Sequence, residues 1–298
     1  MERLYDKLKA YSESDFYAFH MPGHKRNKAL LGIELPYDLD ITEIDGFDDL
    51  HHADGILKEE QERAARVFGA EESHFLVNGS TAGILSAVMG CTHRGDKILV
   101  ARHCHKSIYH AIYMNGLVPR YVYPEFDISM HMNGEISKED VAKALAAEPD
   151  IKAVVIVSPN YDGVVSDVKG IAEVAHSYRI PLIVDEAHGP HFGFHPAFPG
   201  RANDLGADVV INSVHKTLPC LTQTGVIHLC SDRVSREKLI RFMGIYQSSS
   251  PSYVLMSSID ACMDKLDREG DEMFRVFTEN LEKARERLGK CKYIRLVT

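Results

Sequence analysis

Long apolar runs are missing from this sequence. No run approaches the roughly 20 apolar residues that a helix needs to cross a bilayer. The start of the chain, residues 1–5 (MERLY), is charged and lacks the apolar centre of a secretory signal peptide. These absences predict a chain with neither a membrane segment nor a leader, and we expect it in the cytoplasm.

Paired cysteines are missing as well. The six cysteines are scattered, and no two of them form a CxxC pair. This spacing argues against a disulfide framework and against a zinc site. We therefore expect reduced thiols at Cys91, Cys104, Cys220, Cys230, Cys262 and Cys291.

The sequence also has no basic run or stripe. Its formal net charge is −9, and acidic and basic residues are mixed along the chain. This pattern disfavours nucleic acid as a partner. With 45% hydrophobic and 26% charged residues over 298 positions, the composition is ordinary for a globular protein that needs no metal or disulfide staple.

Short apolar runs alternate with amphipathic stretches through most of the chain. Runs such as Val154–Val157 (VVIV) are apolar throughout and β-branched, which is typical of strands buried on both faces of a parallel sheet. The alternation predicts an α/β fold with seven strands in a mostly parallel sheet between helical layers. The predicted strands are 74–77, 97–101, 120–123, 153–157, 182–185, 208–212 and 226–230, with a further one beginning at 293–298. The predicted helices are 55–70, 82–91, 106–115, 138–147, 171–178, 233–243, 254–268 and 271–288.

Polar side chains follow these strands at the sheet edge where α/β folds bind ligands. After the first strand, residues 78–81 (NGST) open a helix. Gly79 permits a tight turn, and the N–H groups and hydroxyls of Ser80 and Thr81 are suited to an anion. An ordinary helix cap made by serine or threonine has the same pattern.

After the second strand comes the segment 102–107 (RHCHKS). A histidine here is suited to lie against an aromatic cofactor, although the loop is also typical of a polar helix cap. His103 and His105 diverge in an extended loop, and no third ligand is evident, so a metal is disfavoured.

Asp185 ends the fifth apolar run and is followed by Glu186 and His188. A carboxylate at this place can keep a pyridine nitrogen protonated, and a helix-capping aspartate or a magnesium ligand remains an alternative. His188, His191 and His195 do not have the helical spacing of a metal site, since Gly189–Pro190 interrupts any helix.

Lys216 lies just past the sixth strand, in the segment 213–217 (SVHKT). A partly desolvated lysine near other cations has a lowered pKa and can attack a carbonyl carbon. A solvated loop lysine is the alternative, and it describes most lysines. Each of these features is weak alone, and their order along successive strand ends carries the interpretation.

Together the motifs resemble the Orn/Lys/Arg decarboxylase family of bacterial type, within the fold-type I enzymes that use pyridoxal 5′-phosphate (PLP). The resemblance covers nearly the whole chain. The matching segments are 20–25 (HMPGHK), 40–43 (DITE), 78–81 (NGST), 103–107 (HCHKS), 161–163 (YDG), 185–189 (DEAHG) and 213–217 (SVHKT).

The resemblance implies the aspartate aminotransferase-like large domain as the fold and PLP as the cofactor. It implies that Lys216, Asp185 and His105 are catalytic: Lys216 carries PLP as a Schiff base and donates a proton, Asp185 pairs with the ring nitrogen, and His105 stacks on the ring. It further implies phosphate binding by Gly79, Ser80 and Thr81, with Ser213 and His215 nearby, and places His188 in the same pocket. The implied partners are a basic amino acid substrate and a second copy of the chain.

The implied organisation has three parts. Residues 1–50 form an N-terminal arm, 51–245 the PLP-binding large domain, and 246–298 a helical connection to a C-terminal small domain that is largely absent. The implied reaction converts lysine, arginine or ornithine to a polyamine-type amine and CO2. The alternatives are another fold-type I PLP enzyme, such as an aminotransferase or a lyase, and a truncated non-catalytic homologue.

Overall fold

The computed structural model describes residues 2–29 and 31–297. The α-helices are α1 Leu4–Ser12, α2 Ile56–Phe68, α3 Gly79–Cys91, α4 Lys106–Asn115, α5 Lys138–Ala147, α6 Val168–Ser177, α7 Val214–Thr217, α8 Arg236–Tyr246 and α9 Tyr253–Gly289. The strands are β1 Glu72–Leu76, β2 Lys97–Ala101, β3 Val118–Val122, β4 Phe126–Asp127, β5 Met132–Asn133, β6 Val154–Val157, β7 Leu182–Asp185, β8 Val209–Asn212 and β9 Gly225–Leu229.

Seven strands form one sheet in the order β1-β9-β8-β7-β6-β2-β3, and β4 pairs with β5 in a separate small hairpin. Strands β3, β2, β6, β7 and β8 are parallel, whereas β9 is antiparallel to both β8 and β1. Strand β1 therefore points the same way as the parallel strands. The prediction of a mostly parallel seven-stranded sheet is confirmed.

Helices cover both faces of this sheet. On one face α3, α4 and α8 pack on side chains such as Ile183 and Ile211. On the other face α5 and α6 cover β6 and β7, and α1, α2 and α9 cover β1 and β9. Four central strands, β6 to β9, are buried along their whole length, which is the reason that their sequences are apolar without alternation.

Capping residues set the ends of several helices. The Ser137 hydroxyl accepts a hydrogen bond from the Asp140 N–H at the start of α5, and the Asp167 carboxylate accepts one from the Gly170 N–H at the start of α6. Gly69 and Gly116, in the left-handed region, end α2 and α4. These signals explain why α4 and α5 have the predicted bounds.

The terminal regions depart from the sequence-based expectations. No helix was predicted in residues 1–50, but this segment contains α1, whose Leu4 and Leu8 are buried in the same core cluster as residues of α9. Helix α9 is continuous through the two helices predicted at 254–268 and 271–288, and Gly270 is buried within it. Residues 293–297 form no strand, and Thr298 lies outside the described residues.

Within residues 2–29 and 31–297, no helix is both long enough and apolar enough to cross a membrane.

Candidate active site

The loops that follow β1, β2, β6, β7 and β8 meet at one edge of the sheet. These strands point in the same direction, so their carboxyl ends lie side by side. The loop before the antiparallel strand β9 reaches the same edge. All of the predicted site segments of the large domain are attached to these loops.

Two serine hydroxyls meet at the carboxyl ends of β1 and β8. The Oγ atoms of Ser80 and Ser213 are 2.5 Å apart, and both side chains are buried. Gly79 has φ +74°, and it makes the expected tight turn at the start of α3. Gly225 faces the pair so closely that a Cβ there would lie 3.1 Å from the Ser80 Oγ. A side chain at position 225 would therefore crowd the serine pair.

Glutamine side chains fix the strand that leads into this turn. The Val77 N–H donates to the Gln247 Oε1 at 2.8 Å, and the Val77 carbonyl accepts from the Gln223 Nε2 at 2.5 Å. Val77 is beyond the sheet pairing of β1, so these two side chains take the place of a neighbouring strand. They set the position from which the turn at Gly79 begins.

Asp185 is buried at the end of β7, and the residue is 2% exposed. Its Oδ1 accepts a hydrogen bond from the Ala187 N–H at 3.1 Å. Burial raises the pKa of the Asp185 carboxyl to about 6, while the Ala187 N–H and the nearby Lys216 amine act in the opposite direction. Asp185 is thus a carboxylate that a further cationic partner would stabilise.

Lys216 and His188 are in direct contact across this edge. The Lys216 Nζ is 2.9 Å from the His188 Nε2. Burial lowers the pKa of the Lys216 amine, and the Asp185 carboxylate offsets part of that effect. The pKa of His188 is also lowered, first by burial and then by the Lys216 and His105 charges. A neutral His188 accepts a hydrogen bond from Lys216, and a lowered amine pKa favours the nucleophilic form of Lys216.

The remaining candidate residues surround this centre. His105 caps α4 through an Nδ1 that accepts from the Ser107 N–H at 3.3 Å, and its pKa is lowered by burial and then by Lys216. The His215 Nδ1 lies 2.6 Å from the Thr224 carbonyl oxygen, so this nitrogen donates to the loop before β9. The Thr81 side chain is exposed in the first turn of α3.

In the part of the chain that the structure describes, no three or more His, Cys, Asp or Glu side chains are arranged to hold a metal ion. His191 and His195 lie beside Phe198, with ring centroids 4.9 Å and 6.2 Å from it, and contribute to an aromatic cluster.

Three buried polar residues behind the site were not predicted to belong to it. Glu186, Asn212 and His228 lie next to the candidate residues in space and are joined by hydrogen bonds. In the sequence each is only a polar residue within or beside an apolar run, and such a residue is as typical of an exposed loop as of a buried hydrogen-bond network.

The family model for the Orn/Lys/Arg decarboxylase major domain matches residues 3–298. The chain belongs to the Orn/Lys/Arg decarboxylase family. The decarboxylases of this family depend on PLP. The resemblance drawn from the sequence motifs is confirmed.

Relatives and solved structures agree with this membership. Arginine decarboxylase of Bacillus subtilis is 35% identical over 98% of this chain and 61% of its own length. A B. subtilis protein named uncharacterized protein YaaO is 41% identical over 86% of this chain and 55% of its own length. The structure of lysine decarboxylase A from Pseudomonas aeruginosa superposes with a TM-score of 0.82 and 26% identity, covering 94% of this chain and 42% of that one. The chain thus spans about 55–61% of the length of these two curated relatives.

The side chains at the sheet edge fit PLP chemically. The cofactor presents a phosphate, a pyridine nitrogen and an aldehyde, which call for hydroxyl donors, a carboxylate and an amine. The edge offers the serine pair, the buried Asp185 and the Lys216 amine. A Cβ at Gly225 would lie 3.1 Å from the Ser80 Oγ, so glycine at this position keeps the serine pair uncrowded.

Proposed function

We propose that this chain performs the PLP-dependent decarboxylation of a basic amino acid, with the cofactor attached to Lys216. The observation that carries the proposal is the convergence of Lys216, His188 and the buried Asp185 beside the Ser80–Ser213 pair. When bound, PLP accepts the electron pair of the broken Cα–carboxylate bond into its protonated ring.

Lys216 has two roles in this proposal. Its Nζ, whose pKa is lowered by burial, forms the covalent attachment. After the carboxylate has left, the same Nζ donates a proton to the substrate Cα. His188, 2.9 Å from Nζ, orients the amine by accepting its hydrogen bond.

Asp185 and His105 act on the ring. The Asp185 carboxylate keeps the proton on the ring nitrogen, because a buried carboxylate with a raised pKa gains most from a cationic partner. We assign His105 to the ring face, as the family resemblance implies; burial and then the charge of Lys216 lower the pKa of its imidazole.

The start of α3 would hold the phosphate. The N–H groups of the first turn and the hydroxyls of Ser80, Thr81 and Ser213 would be its donors, with Gly79 allowing a close approach. The His215 Nδ1 is committed to the Thr224 carbonyl, so His215 contributes through its Nε2.

We propose arginine as the first substrate to test, ahead of lysine and ornithine. The basis is the set of relatives named arginine decarboxylase, which are 33–35% identical over nearly the whole chain. The product would be the corresponding polyamine-type amine, and we place the reaction in the cytoplasm.

We also propose that the chain works as a homodimer. The segment before and within the HMPGHK motif exposes large apolar side chains at Phe16, Tyr17, Phe19 and Met21, and Phe19 is 90% exposed. Such a contiguous group is typical of an interface. In this arrangement residues 1–50 are the arm, 51–245 hold the cofactor, and 246–298 lead to the small domain.

The test begins with protein purified in the presence of PLP, reduced with borohydride and mapped by peptide mass. We expect phosphopyridoxyl on Lys216 and on no other lysine. Lys216→Ala should lose the label, whereas Lys106→Ala, a lysine at the same sheet edge, should keep it on Lys216. A label on a different lysine in the unaltered chain would contradict the proposal.

The same preparation is then incubated with arginine, lysine and ornithine. Release of CO2 without a keto acid supports a decarboxylase, whereas a keto acid would identify an aminotransferase. A labelled Lys216 with no turnover of any of the three would leave the non-catalytic homologue as the better description.

A further inference from the structure

Neighbouring residues at the ends of β7 and β8 point to opposite faces of the sheet. Successive strand residues alternate between faces, and Ile183 and Ile211 belong to the face covered by α3, α4 and α8. Asp185 pairs with Ile211 in the sheet, so Asp185 and Ser213 share that face. Glu186 and Asn212 are the alternate residues and point to the other face.

Glu186 and Asn212 are buried and bonded to each other by two contacts. The Asn212 Nδ2 donates to the Glu186 Oε2 at 3.1 Å and to the Glu186 backbone carbonyl at 3.0 Å. The second carboxyl oxygen, Oε1, accepts from the Ala202 N–H at 2.9 Å. The Glu186 N–H also donates to the Ile211 carbonyl at 3.0 Å, which continues the sheet pairing by one residue. The side chains thus join the strand ends at the point where the backbone pairing stops.

The hydrogen bonds behind Asn212 all run in one direction. Both Asn212 amide hydrogens are used by Glu186, so its Oδ1 must accept, and it lies 2.9 Å from the His228 Nε2. The His228 Nδ1 then accepts from the Ser73 hydroxyl at 2.7 Å. Burial lowers the pKa of His228 to about 3, which keeps the ring neutral and fits one donor and one acceptor nitrogen. This series of hydrogen bonds runs from Ser73 through His228 and Asn212 and ends at Glu186.

We propose that Glu186 is a positioning residue: acting through Asn212, its carboxyl fixes the ends of β7 and β8 and thereby the Asp185 carboxylate and the Ser213 hydroxyl on the opposite face. The effect on PLP binding rests on the proposed function. The fixing of the strand ends by Glu186 does not depend on PLP. Glu186 makes no contact with the reacting atoms in this assignment.

A matched control lies at the opposite ends of the same two strands. The Asp208 Oδ2 accepts from the Leu182 N–H at 2.7 Å, which joins the start of β7 to the start of β8. Asp208 is as buried as Glu186. Asp208→Asn leaves one oxygen for the Leu182 N–H but removes the charge and the second acceptor, which bonds Ser231 and Arg233. It should therefore loosen the amino ends of the same two strands, away from the site edge.

The first measurement is hydrogen exchange, followed by mass spectrometry, on the full chain without PLP. Glu186→Met keeps the length of the side chain but removes both acceptors. We expect faster exchange in peptides covering 183–189 and 211–217 than in the unaltered chain, and no such change at these peptides in Asp208→Asn. Unchanged exchange at both peptides in Glu186→Met would overturn the inference whether or not the chain binds PLP.

The second measurement is PLP titration with the visible circular dichroism of the bound cofactor. We expect Glu186→Met to weaken PLP binding by about tenfold, and Glu186→Gln, which keeps one acceptor, by only about threefold. Asp208→Asn should keep the affinity for PLP within about twofold, even if its melting temperature falls as much as that of Glu186→Met.

The affinity of the unaltered chain tests the proposed function, while the ratio of each variant to it tests the positioning role. Equal losses of affinity in Glu186→Met and Asp208→Asn would overturn the inference, because they would show a general loosening of the strands. An unaltered dichroism per bound cofactor in Glu186→Met would overturn it as well.

Discussion

Two buried aspartates at opposite ends of the central strands have different surroundings. Asp208, 0% exposed, accepts from the Leu182 N–H at 2.7 Å and from the His176 Nε2 at 2.8 Å, and it also contacts the side chains of Ser231 and Arg233. Asp185, 2% exposed, accepts one hydrogen bond within the described residues, from the Ala187 N–H at 3.1 Å.

The difference separates a structural carboxylate from one suited to a ligand. A buried carboxylate that is surrounded by donors stabilises the fold that supplies them. A buried carboxylate with few donors costs stability until something else provides a positive charge. Asp208 joins two strands, whereas the buried Asp185 would be stabilised by a cationic partner at the edge where Lys216 lies.

The largest expected effect comes from exchanging each aspartate for asparagine. Asp185→Asn keeps the side-chain shape and the acceptor for the Ala187 N–H but cannot hold a proton on a ring nitrogen. We expect the turnover number to fall by at least about 100-fold with PLP still bound to Lys216, since one preorganised electrostatic contact is worth that much. Steady-state decarboxylation of arginine, with cofactor content measured by absorbance, checks this.

Asp208→Asn provides the comparison for that loss. It should lower the melting temperature while keeping the turnover number per bound cofactor within about threefold, because Asp208 lies at the amino ends of the strands. If Asp185→Asn retained more than about a tenth of the activity, the assignment of Asp185 to the ring nitrogen would be wrong.

A second prediction concerns the stability of the chain without PLP. The pKa of Asp185 is raised from its ordinary value of 3.8 to about 6, so the folded state holds the proton more tightly than the unfolded state. Ionising the buried Asp185 therefore lowers the free energy of unfolding. This loss is absent below pH 3.8, grows between pH 3.8 and about 6, and is constant above, where both states are ionised. The full difference corresponds to about 3 kcal/mol.

Asp185→Asn removes this loss, so the variant should be more stable than the unaltered chain, and increasingly so as the pH rises. The gain in the free energy of unfolding should be about 2 kcal/mol larger at pH 8 than at pH 4.5. Urea unfolding of both proteins at the two pH values measures it. A gain that does not change with pH would mean that burial does not perturb Asp185 in the folded chain.

The strands of the sheet were predictable from the sequence, and the reason is their burial. Strand β7 is apolar at every position up to Asp185 because both of its faces are covered. The bounds of α4 and α5 were predictable because local capping residues mark them. Helix α1 was not, since its helical pattern depends on two leucines that pack on the distant α9.

The site divides in the same way. Residues that follow a buried strand, such as Asp185, Ser213 and Lys216, were predictable because parallel strands bring their ends together. Glu186, Asn212 and His228 were not, because their role depends on pairing between residues 16 and 26 positions apart, and no local pattern records which buried polar groups meet. The tertiary structure determines which of these buried polar residues form hydrogen bonds with one another.

The smallest expected effect comes from two glycines with left-handed backbone, one at each edge of the sheet. Gly79 has φ +74° at the serine pair, and Gly206 has φ +95° just before Asp208. Alanine at either position should lower the free energy of unfolding by about 1–2 kcal/mol, because an L-residue is disfavoured there. A Cβ at position 79 would meet the Gln223 carbonyl at 3.8 Å, which is an ordinary contact. A Cβ at position 206 would meet the Ala172 Cβ at 3.3 Å, so that neighbour must shift slightly and the loss of stability should be the larger of the two.

The two variants should differ in their affinity for PLP. Gly79→Ala shifts the turn that presents the Ser80 and Thr81 N–H groups, and we expect a loss of affinity of about tenfold, equivalent to about 1.4 kcal/mol. Gly206→Ala changes only the amino ends of the strands and should leave the affinity unchanged. Denaturant unfolding and PLP titration of both variants give the two numbers together. Equal affinities in the two would mean that the turn at Gly79 does not bear on the phosphate, whereas a loss confined to Gly79→Ala would assign the ligand to the edge where Asp185 lies.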